Sequence, residues 1–417
     1  PDAAPNRAPT TTSEKDQVWA REMLSEKVKN ASPYRRLKLV MDYWCALWFW
    51  PVTDSEKLPK REEWWHDLEL LVHGEAQAGS EAADELFPET LPQARLNLDV
   101  ERDRHGHVNL DVLLKTNERL RLVQFLVEQH KFLHWELEFA DIFQQRGGFD
   151  LILGNPPWIK VEWNEQSLLS DFDPKFAIRK LSAKETTDSR AELFTAIPAA
   201  KPEYIHECAA QEATQAFLNA QQNYPVLKGV QTNLYKCFMP VGWMLAGPCG
   251  VVGYLHPEGP YDDPKGGVLR EAMYARLRAH FQFINETKLF AEVHNQTKFS
   301  INLYGSPQLQ PRFDQIANLF TPATVDASFA HDGSGRVGGY KNDQGKWNTA
   351  GHADRIVPVG EEQLLVFAQL YDEPGTLSRR ARLPALHAGQ LSSVLSKLAT
   401  YPRRLADLAM ETRIEVS

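Results

Sequence analysis

The spacing of apolar residues in the middle of the chain predicts a sheet whose strands alternate with helices. FDLILG (149–154) and CGVVGYLHP (249–257) are apolar runs bounded by glycine or proline, which is typical of buried strands. KFSINLYG (298–305) predicts a further strand, and VLREAMYARLRAHF (268–281) has the spacing of a helix. HWELEFADIF (134–143) alternates apolar and polar residues, so we predict a strand there as well. Together these segments indicate the α/β class.

The pattern changes on both sides of this central part and divides the chain into four regions. We predict a linker at 1–16, rich in proline, alanine and threonine, and a helical region or insertion at 17–130. The central α/β region covers 131–305, and we predict that a polar, irregular loop interrupts it at 164–200. From 306 to 417 short strands, glycine-rich turns and a helical stretch indicate the start of a further, mixed region.

Composition narrows the class of protein. The chain has 417 residues, 43% hydrophobic and 24% charged, which indicates a globular protein of roughly two to three domains. A net charge of −9 confines nucleic-acid binding to a local basic patch or to another part of a larger protein. The four scattered cysteines and the isolated His105 and His107 argue against disulfides and a zinc site. No apolar run reaches the roughly 18 residues of a membrane span, so we expect a cytoplasmic protein without membrane contact.

The turn that follows FDLILG has residues suited to holding an amino group. Asn155, Pro156, Pro157 and Trp158 form this turn, and the two prolines make it stiff. In open α/β sheets ligands bind beyond the carboxyl ends of the strands. The Asn155 side-chain oxygen and the Pro156 carbonyl can accept the two hydrogens of a planar –NH2 group, while the Trp158 ring stacks on the ring that bears it. Positioning and electrostatics suffice for such chemistry, and an adenine outside its duplex is a suitable substrate.

This turn and its surroundings resemble motif IV of the amino-group DNA methyltransferases, which use S-adenosylmethionine. FLHWELEFADIFQQRGGFDLILGNPPW (132–158) looks like the large adenine methylases of type IIG restriction–modification enzymes and of the phage-defence systems BREX and DISARM. Segments 229–245, 250–273 and 289–305 resemble the helices and strands that follow in that family. The resemblance implies a class I S-adenosylmethionine-dependent methyltransferase with a Rossmann-like sheet. It also implies methyl transfer to N6 of an adenine flipped out of DNA, in restriction–modification or phage defence.

The chain departs from the family most clearly at the cofactor. Relatives bind S-adenosylmethionine through a glycine-rich turn after their first strand, and residues 1–148 contain no such turn. Asp141 corresponds to an acidic residue that meets the adenine of the cofactor in relatives. We therefore expect an incomplete sheet that supplies the substrate half of the site, and a fragment that does not methylate by itself. The expected partners are the rest of the same polypeptide or other subunits of a defence system.

Double-stranded DNA is the expected substrate, and two segments are candidates for contacting it. Arg179, Lys180 and Lys184 follow the NPPW turn, where they predict contacts with backbone phosphates. The loop HPEGPYDDPKGG (256–267) is polar where relatives often carry apolar or hydroxyl residues, and it predicts either a solvated turn or a lining for the target base. The fourth motif position is more often Tyr or Phe than Trp, which changes the width of the pocket but retains an aromatic ring.

Two other functions remain open at the level of sequence. Asn-Pro-Pro turns also serve amide nitrogens in protein-glutamine methyltransferases, and related turns occur in RNA methyltransferases. A non-catalytic DNA-binding or scaffold subunit of a defence complex would retain the fold without the cofactor, which agrees with the missing glycine-rich turn.

Overall fold

The computed structural model describes residues 32–73 and 108–402, together with Ser13. The remainder of the predicted linker, as well as His105 and His107, lies outside these described residues. The chain divides into two compact units, each formed by two segments: Pro1–Phe139 with Trp163–Thr214, and Ala140–Glu162 with Gln215–Ser417.

The first segment of the first unit is helical, as its apolar spacing predicted. Its described helices are α1 (Pro33–Ala46), α2 (Arg61–His73), α3 (Leu110–Thr116), α4 (Glu118–His130) and α5 (Trp135–Glu138). Tyr43, Leu70, Leu113 and Leu126 are buried in a common core, against which Trp64 packs. Burial of these apolar side chains, rather than local propensity, stabilises such short helices.

The prediction of a strand at 134–143 was wrong. This segment forms α5 and then α6 (Ala140–Arg146), the first helix of the second unit. Trp135 and Phe139 stack at a centroid distance of 5.8 Å, and Phe143 follows four residues later. Because aromatic residues four apart lie on one helix face, the same letters fit a helix as well as a strand.

The predicted strand at FDLILG is confirmed as β1 (Phe149–Gly154), but it is not a buried strand. Leu151 and Leu153 are 59% and 70% exposed, since β1 lies at the edge of its sheet. The turn before β1 requires glycine at Gly148, where φ is +142° and a Cβ would come within 2.6 Å of the Leu245 carbonyl oxygen. The chain thereby enters β1 beside the start of the neighbouring strand.

The segment predicted as an irregular loop at 164–200 is instead mostly helical. It contains α7 (Glu165–Ser170), α8 (Lys175–Ile178) and α9 (Ala183–Ala196), and α10 (Ala200–Asn219) follows. Ser182 and Glu185 form a reciprocal cap at the start of α9. Leu169, Phe176 and Leu193 are buried together. The sequence did not indicate these three core positions, because they are widely spaced along a highly charged segment.

The second unit is built on one open, mixed sheet of six described strands. The strands after β1 are β2 (Ala246–Pro257), β3 (Leu277–Ile284), β4 (Lys298–Tyr304), β5 (Arg312–Leu319) and β6 (Val357–Gly360). Their order is β1-β2-β4-β3-β5-β6. β1 is parallel to β2 and β3 is parallel to β5, whereas β4 is antiparallel to both its neighbours and β6 to β5. This is the Rossmann-like α/β sheet that the sequence predicts.

The remaining helices pack on this sheet and connect its strands. They are α11 (Leu234–Leu245), α12 (Gly259–Asp262), α13 (Gly267–Tyr274), α14 (Ala323–Phe329), α15 (Glu361–Tyr371) and α16 (Gln390–Ala399). The helix predicted at 268–281 ends at Tyr274, because the residues from Leu277 onward pair with strands on both sides. Because β1, β2, β3 and β5 run in the same direction, their carboxyl ends lie along one edge of the sheet. No described helix is long and apolar enough to cross a membrane.

Candidate functional site

The NPPW turn stands at the carboxyl end of β1, with its asparagine accessible. Asn155 and Pro157 are exposed, whereas Pro156 is buried. β1 ends at Gly154, where the side chain of Tyr254 on β2 lies so close that a Cβ would approach it to 3.2 Å. The prolines fix the backbone beyond that point. The amide of Asn155 is thus presented from a rigid turn to whatever lies over the sheet edge.

Trp158 is held by aromatic neighbours and by one hydrogen bond. Its ring lies 5.7 Å from the rings of both Phe290 and Phe299, and it is edge-on to Phe290. Its Nε1–H donates to the carbonyl of Leu255 at 3.4 Å. The indole is half-buried, so part of its surface remains available to a ligand. Phe290 was not predicted as a site residue, because it lies in a segment of mixed polarity far along the chain.

The backbone beyond the turn is fastened to the start of α11. Leu234 N–H donates to the Ile159 carbonyl at 3.0 Å, and Lys160 forms a β-bridge with Asn233. The Gln215 side chain donates to the Val161 carbonyl at 2.8 Å. These contacts join the segment after the NPPW turn to the start of α11 and to the end of α10 within one unit.

The loop after β2 forms one wall of a cleft of about 790 Å³. Asp262, Asp263 and Lys265 line it on the loop side, and Gln231 and Lys236 line it on the side of α11. The buried guanidinium of Arg270 holds this loop through two hydrogen bonds. Its Nη1 donates to the carbonyls of Pro260 and Asp263, at 3.1 and 2.6 Å.

Two buried acid–base groups lie beneath the sheet edge. His256 at the end of β2 donates or accepts at Tyr304 Oη, 3.0 Å away, and burial lowers the pKa of His256 to about 4. The imidazole is therefore neutral at pH 7. Glu258 contacts His280 at 3.1 Å and accepts from Gln282 at 3.0 Å. Burial opposes ionisation of Glu258, but His280 and these hydrogen bonds hold the pKa of its carboxyl below the ordinary value.

Lys236 is the third buried ionisable group at this edge. It is 6% exposed and its Nζ lies 3.5 Å from Asp263 Oδ2. Burial lowers the pKa of Lys236, although Asp263 opposes that shift. The sequence gives little sign that Lys236 is buried, since a lysine in an amphipathic helix normally faces solvent.

The other predicted site residues belong to helices or helix ends outside the turn. Asp141 is exposed in the first turn of α6. Arg179, Lys180 and Lys184 are exposed at the end of α8 and the start of α9, in the first unit, whereas the NPPW turn belongs to the second. Among the described residues, no group of three or more His, Cys, Asp or Glu side chains is arranged to hold a metal ion.

Comparison with known proteins gives a family match that includes the NPPW turn. Residues 56–195 match the model of the Eco57I restriction-modification methylases. Over this region the chain is similar to that family. The match supports a restriction-modification methylase, and the open α/β sheet carrying the turn agrees with it. No curated protein matches the chain.

Two solved structures show only distant similarity. One is the ATP-dependent type ISP restriction-modification enzyme LlaBIII bound to DNA, at 11% identity and a TM-score of 0.23. The alignment covers 48% of this chain and 11% of that one. The other comes from a type I R-M system and concerns its complex assembly and conformational transition; the identity is 12% and the TM-score is 0.25. It covers 97% of this chain and 98% of that one. Neither similarity is close enough to support a functional argument.

Proposed function

We propose that the chain is the substrate-binding half of a site-specific DNA methyltransferase that modifies N6 of adenine, in restriction–modification or phage defence. The supporting observation is an exposed asparagine amide on a stiff turn, beside an indole fixed by Phe290, Phe299 and the Leu255 carbonyl. The match of residues 56–195 to restriction-modification methylases supports the same class of activity.

In this proposal the turn holds the amino group and the aromatic ring holds the base. Asn155 Oδ1 and the Pro156 carbonyl accept the two N–H groups of the adenine amine. The nitrogen lone pair then localises on N6 and is directed toward the electrophile, with no tuned general base. The exposed part of Trp158 stacks on the adenine, which has to leave its duplex to reach the turn. S-adenosylmethionine, when bound, supplies the methyl group.

The sequence of residues 1–148 contains no glycine-rich turn for that cofactor. β1 is an edge strand, and its residues Leu151 and Leu153 are exposed. Val251 on the neighbouring strand β2 is exposed as well. Parallel strands are normally covered on both faces, and an exposed edge strand offers unpaired N–H and C=O groups to another segment. The proposal therefore places the cofactor's glycine-rich turn in a further segment of the same polypeptide or in another subunit, which pairs with β1. Asp141 remains the candidate cofactor contact from this chain.

The proposed partner is double-stranded DNA, and the proposed compartment is the cytoplasm. Arg179, Lys180 and Lys184 are exposed and free to meet backbone phosphates of double-stranded DNA. Each of the four cysteines is a free thiol, which supports a reducing cytoplasm.

A second candidate is a non-catalytic DNA-binding or scaffold subunit. The open edge of β1 and the lack of a glycine-rich turn in the sequence of residues 1–148 favour it, since a sheet without a cofactor half retains only binding. Modification of a protein glutamine or of RNA uses the same kind of turn, but no feature of the described residues favours either substrate.

The decisive experiment is methyl transfer from labelled S-adenosylmethionine to unmethylated duplex DNA. It compares this chain alone, a form completed by its upstream segment or partner subunit, and the completed form with Asn155→Ala. Asp150→Ala serves as the matched control, because Asp150 is an exposed residue of the same strand. We expect label on adenine N6 only with the completed form, a loss of at least about 100-fold with Asn155→Ala, and no change with Asp150→Ala.

Other outcomes separate the alternatives. A completed form that binds DNA and S-adenosylmethionine but labels no adenine would exclude the methyltransferase. Thermal stabilisation by S-adenosylmethionine adds a second readout, since a ligand that binds only the folded state raises the unfolding temperature. A completed form that is not stabilised identifies the scaffold subunit.

A further inference from the structure

The cleft at the start of α11 contains a lysine whose ammonium group is poorly satisfied. Lys236 Nζ contacts Asp263 Oδ2 and the Gln231 carbonyl, both at 3.5 Å. An ammonium has three N–H donors, and its charge-assisted bonds are normally about 2.7–2.9 Å long. Lys236 is thus buried, at 6% exposure, between two acceptors at the outer limit of hydrogen bonding. Such a cation is available to a stronger anionic partner.

The surroundings of Lys236 add further positive potential. α11 has 12 residues and begins at Leu234, so the positive end of its dipole lies beside this cleft. Its N-cap residue, Asn233, makes no capping hydrogen bond, so its side chain leaves the first N–H groups of α11 uncapped. Lys160 is half-exposed, forms an ion pair with Glu162 at 3.8 Å and opposes the charge of Lys236 by repulsion. Asp263 is the carboxylate that pairs with Lys236, and Asp262 also lines the cleft.

The cleft is within reach of a nucleotide held at the turn. Ile159 is hydrogen-bonded to Leu234, at the start of the helix that carries Lys236. Asn155 and Ile159 are four positions apart, which limits their distance to about 14 Å. With about 790 Å³ of open volume, the cleft admits a group the size of a phosphate with its sugar.

We propose that Lys236 binds a phosphodiester group of the DNA strand that carries the target base, and that Asp263 occupies the lysine when DNA is absent. This inference rests on the proposed function, because it takes the NPPW turn as the place where the base is held. The phosphate displaces a carboxylate that is held only weakly. The exchange keeps Lys236 charged and paired in both states.

The test measures binding of a labelled single-stranded oligonucleotide that contains adenine, over a series of salt concentrations and without cofactor. Lys236→Gln should weaken binding about 10-fold at low salt and reduce the slope of log K against log salt by about 0.7, the value for one phosphate contact on a single strand. Lys236→Arg should restore most of the affinity. Lys397→Gln is the matched control, since Lys397 is an exposed lysine of α16 and should leave the slope unchanged.

Asp263→Asn distinguishes phosphate binding from a structural role. Freed of its carboxylate, Lys236 should bind the oligonucleotide about 5-fold more tightly, and this gain should vanish in the double variant with Lys236→Gln. If Lys236 serves only packing, Lys236→Gln should lower the thermal stability and leave the slope of log K against log salt unchanged. This result would overturn the inference. So would a gain in Asp263→Asn that persists without Lys236.

Failure of the proposed function looks different. If the completed enzyme labels no adenine while Lys236→Gln still reduces the salt slope, the methyltransferase is excluded and DNA binding at Lys236 stands. If adenine is labelled and the slope is unchanged, only the role of Lys236 is excluded.

Discussion

The indole N–H of Trp158 donates to the carbonyl of Leu255, 3.4 Å away, and so ties the turn after β1 to the carboxyl end of β2. The two residues are 97 positions apart in the sequence. Their contact fixes the plane of the ring that is proposed to receive the base. The orientation of the site thus depends on the pairing of the two strands as well as on the stiff turn.

Substitution of Trp158 should separate its hydrogen bond from its packing. Trp158→Phe loses the bond to Leu255 and should lower the free energy of unfolding by about 1 kcal/mol. Trp158→Ala also loses contacts with Phe290 and Phe299 and should lower it by about 3 kcal/mol, because the ring is only half-buried. Urea denaturation measures both values. Equal losses in the two variants would show that the ring's packing contributes little.

Gly242 on α11 allows that helix to approach β2 closely. A Cβ at this position would overlap the hydroxyl of Tyr254 and lie 2.8 Å from its Cζ. Gly242→Ala should therefore lower the free energy of unfolding by about 2 kcal/mol through overpacking. Gly339→Ala is the control, because the nearest atom to its added Cβ is 3.9 Å away. Thermal unfolding of both variants checks the difference, and an unchanged Gly242→Ala would mean that the helix can shift away from β2.

His256 should make the protein less stable in mild acid. Its pKa is about 4 in the folded protein and about 6.5 when unfolded, so between these values the unfolded chain binds more protons. Stability is complete above pH 6.5 and falls by about 3 kcal/mol as the pH decreases to 4. Urea denaturation across this range should show the loss.

The contribution of His256 can be isolated by substitution. His256→Phe should flatten the pH dependence between 6.5 and 4, whereas His206→Asn, at an exposed position, should leave it unchanged. Glu258 acts at lower pH. Because its folded pKa lies below the ordinary value, the stability it contributes is present above pH 4.5 and is lost as the pH falls further. An identical slope in His256→Phe and the native chain would contradict this account.

The exposed leucines of β1 should matter for assembly rather than for the stability of this chain. Leu151→Lys with Leu153→Lys changes side chains that are 59% and 70% exposed, so thermal stability should change little. The completed enzyme should lose most of its methyl transfer, because charges would be buried where a cofactor-binding segment covers β1. Leu309→Lys, at a residue 92% exposed, is the control. Full activity of the double variant would show that nothing covers this face.

Local patterns were sufficient for three of the strands and for the stiffness of the turn. β1, β2 and β4 follow from apolar runs bounded by glycine or proline, and two prolines fix the backbone of Asn155 in any context. The α/β class needed nothing beyond these residues, and the prediction of an amino group as ligand also rests on them. Such features depend on neighbours in the sequence, which a single chain displays directly.

Tertiary structure alone decided which face of each element is buried. The segment at 164–200 is mostly helical because widely separated apolar residues meet in one core, although its charge favoured a loop. The segment at 134–143 is helical although its alternation favoured a strand. β1 became an edge strand, and Phe290, Lys236 and Glu258 gathered at the carboxyl edge, through strand pairing between remote segments. Contacts of this kind depend on the order of strands in the sheet, which no short stretch of sequence contains.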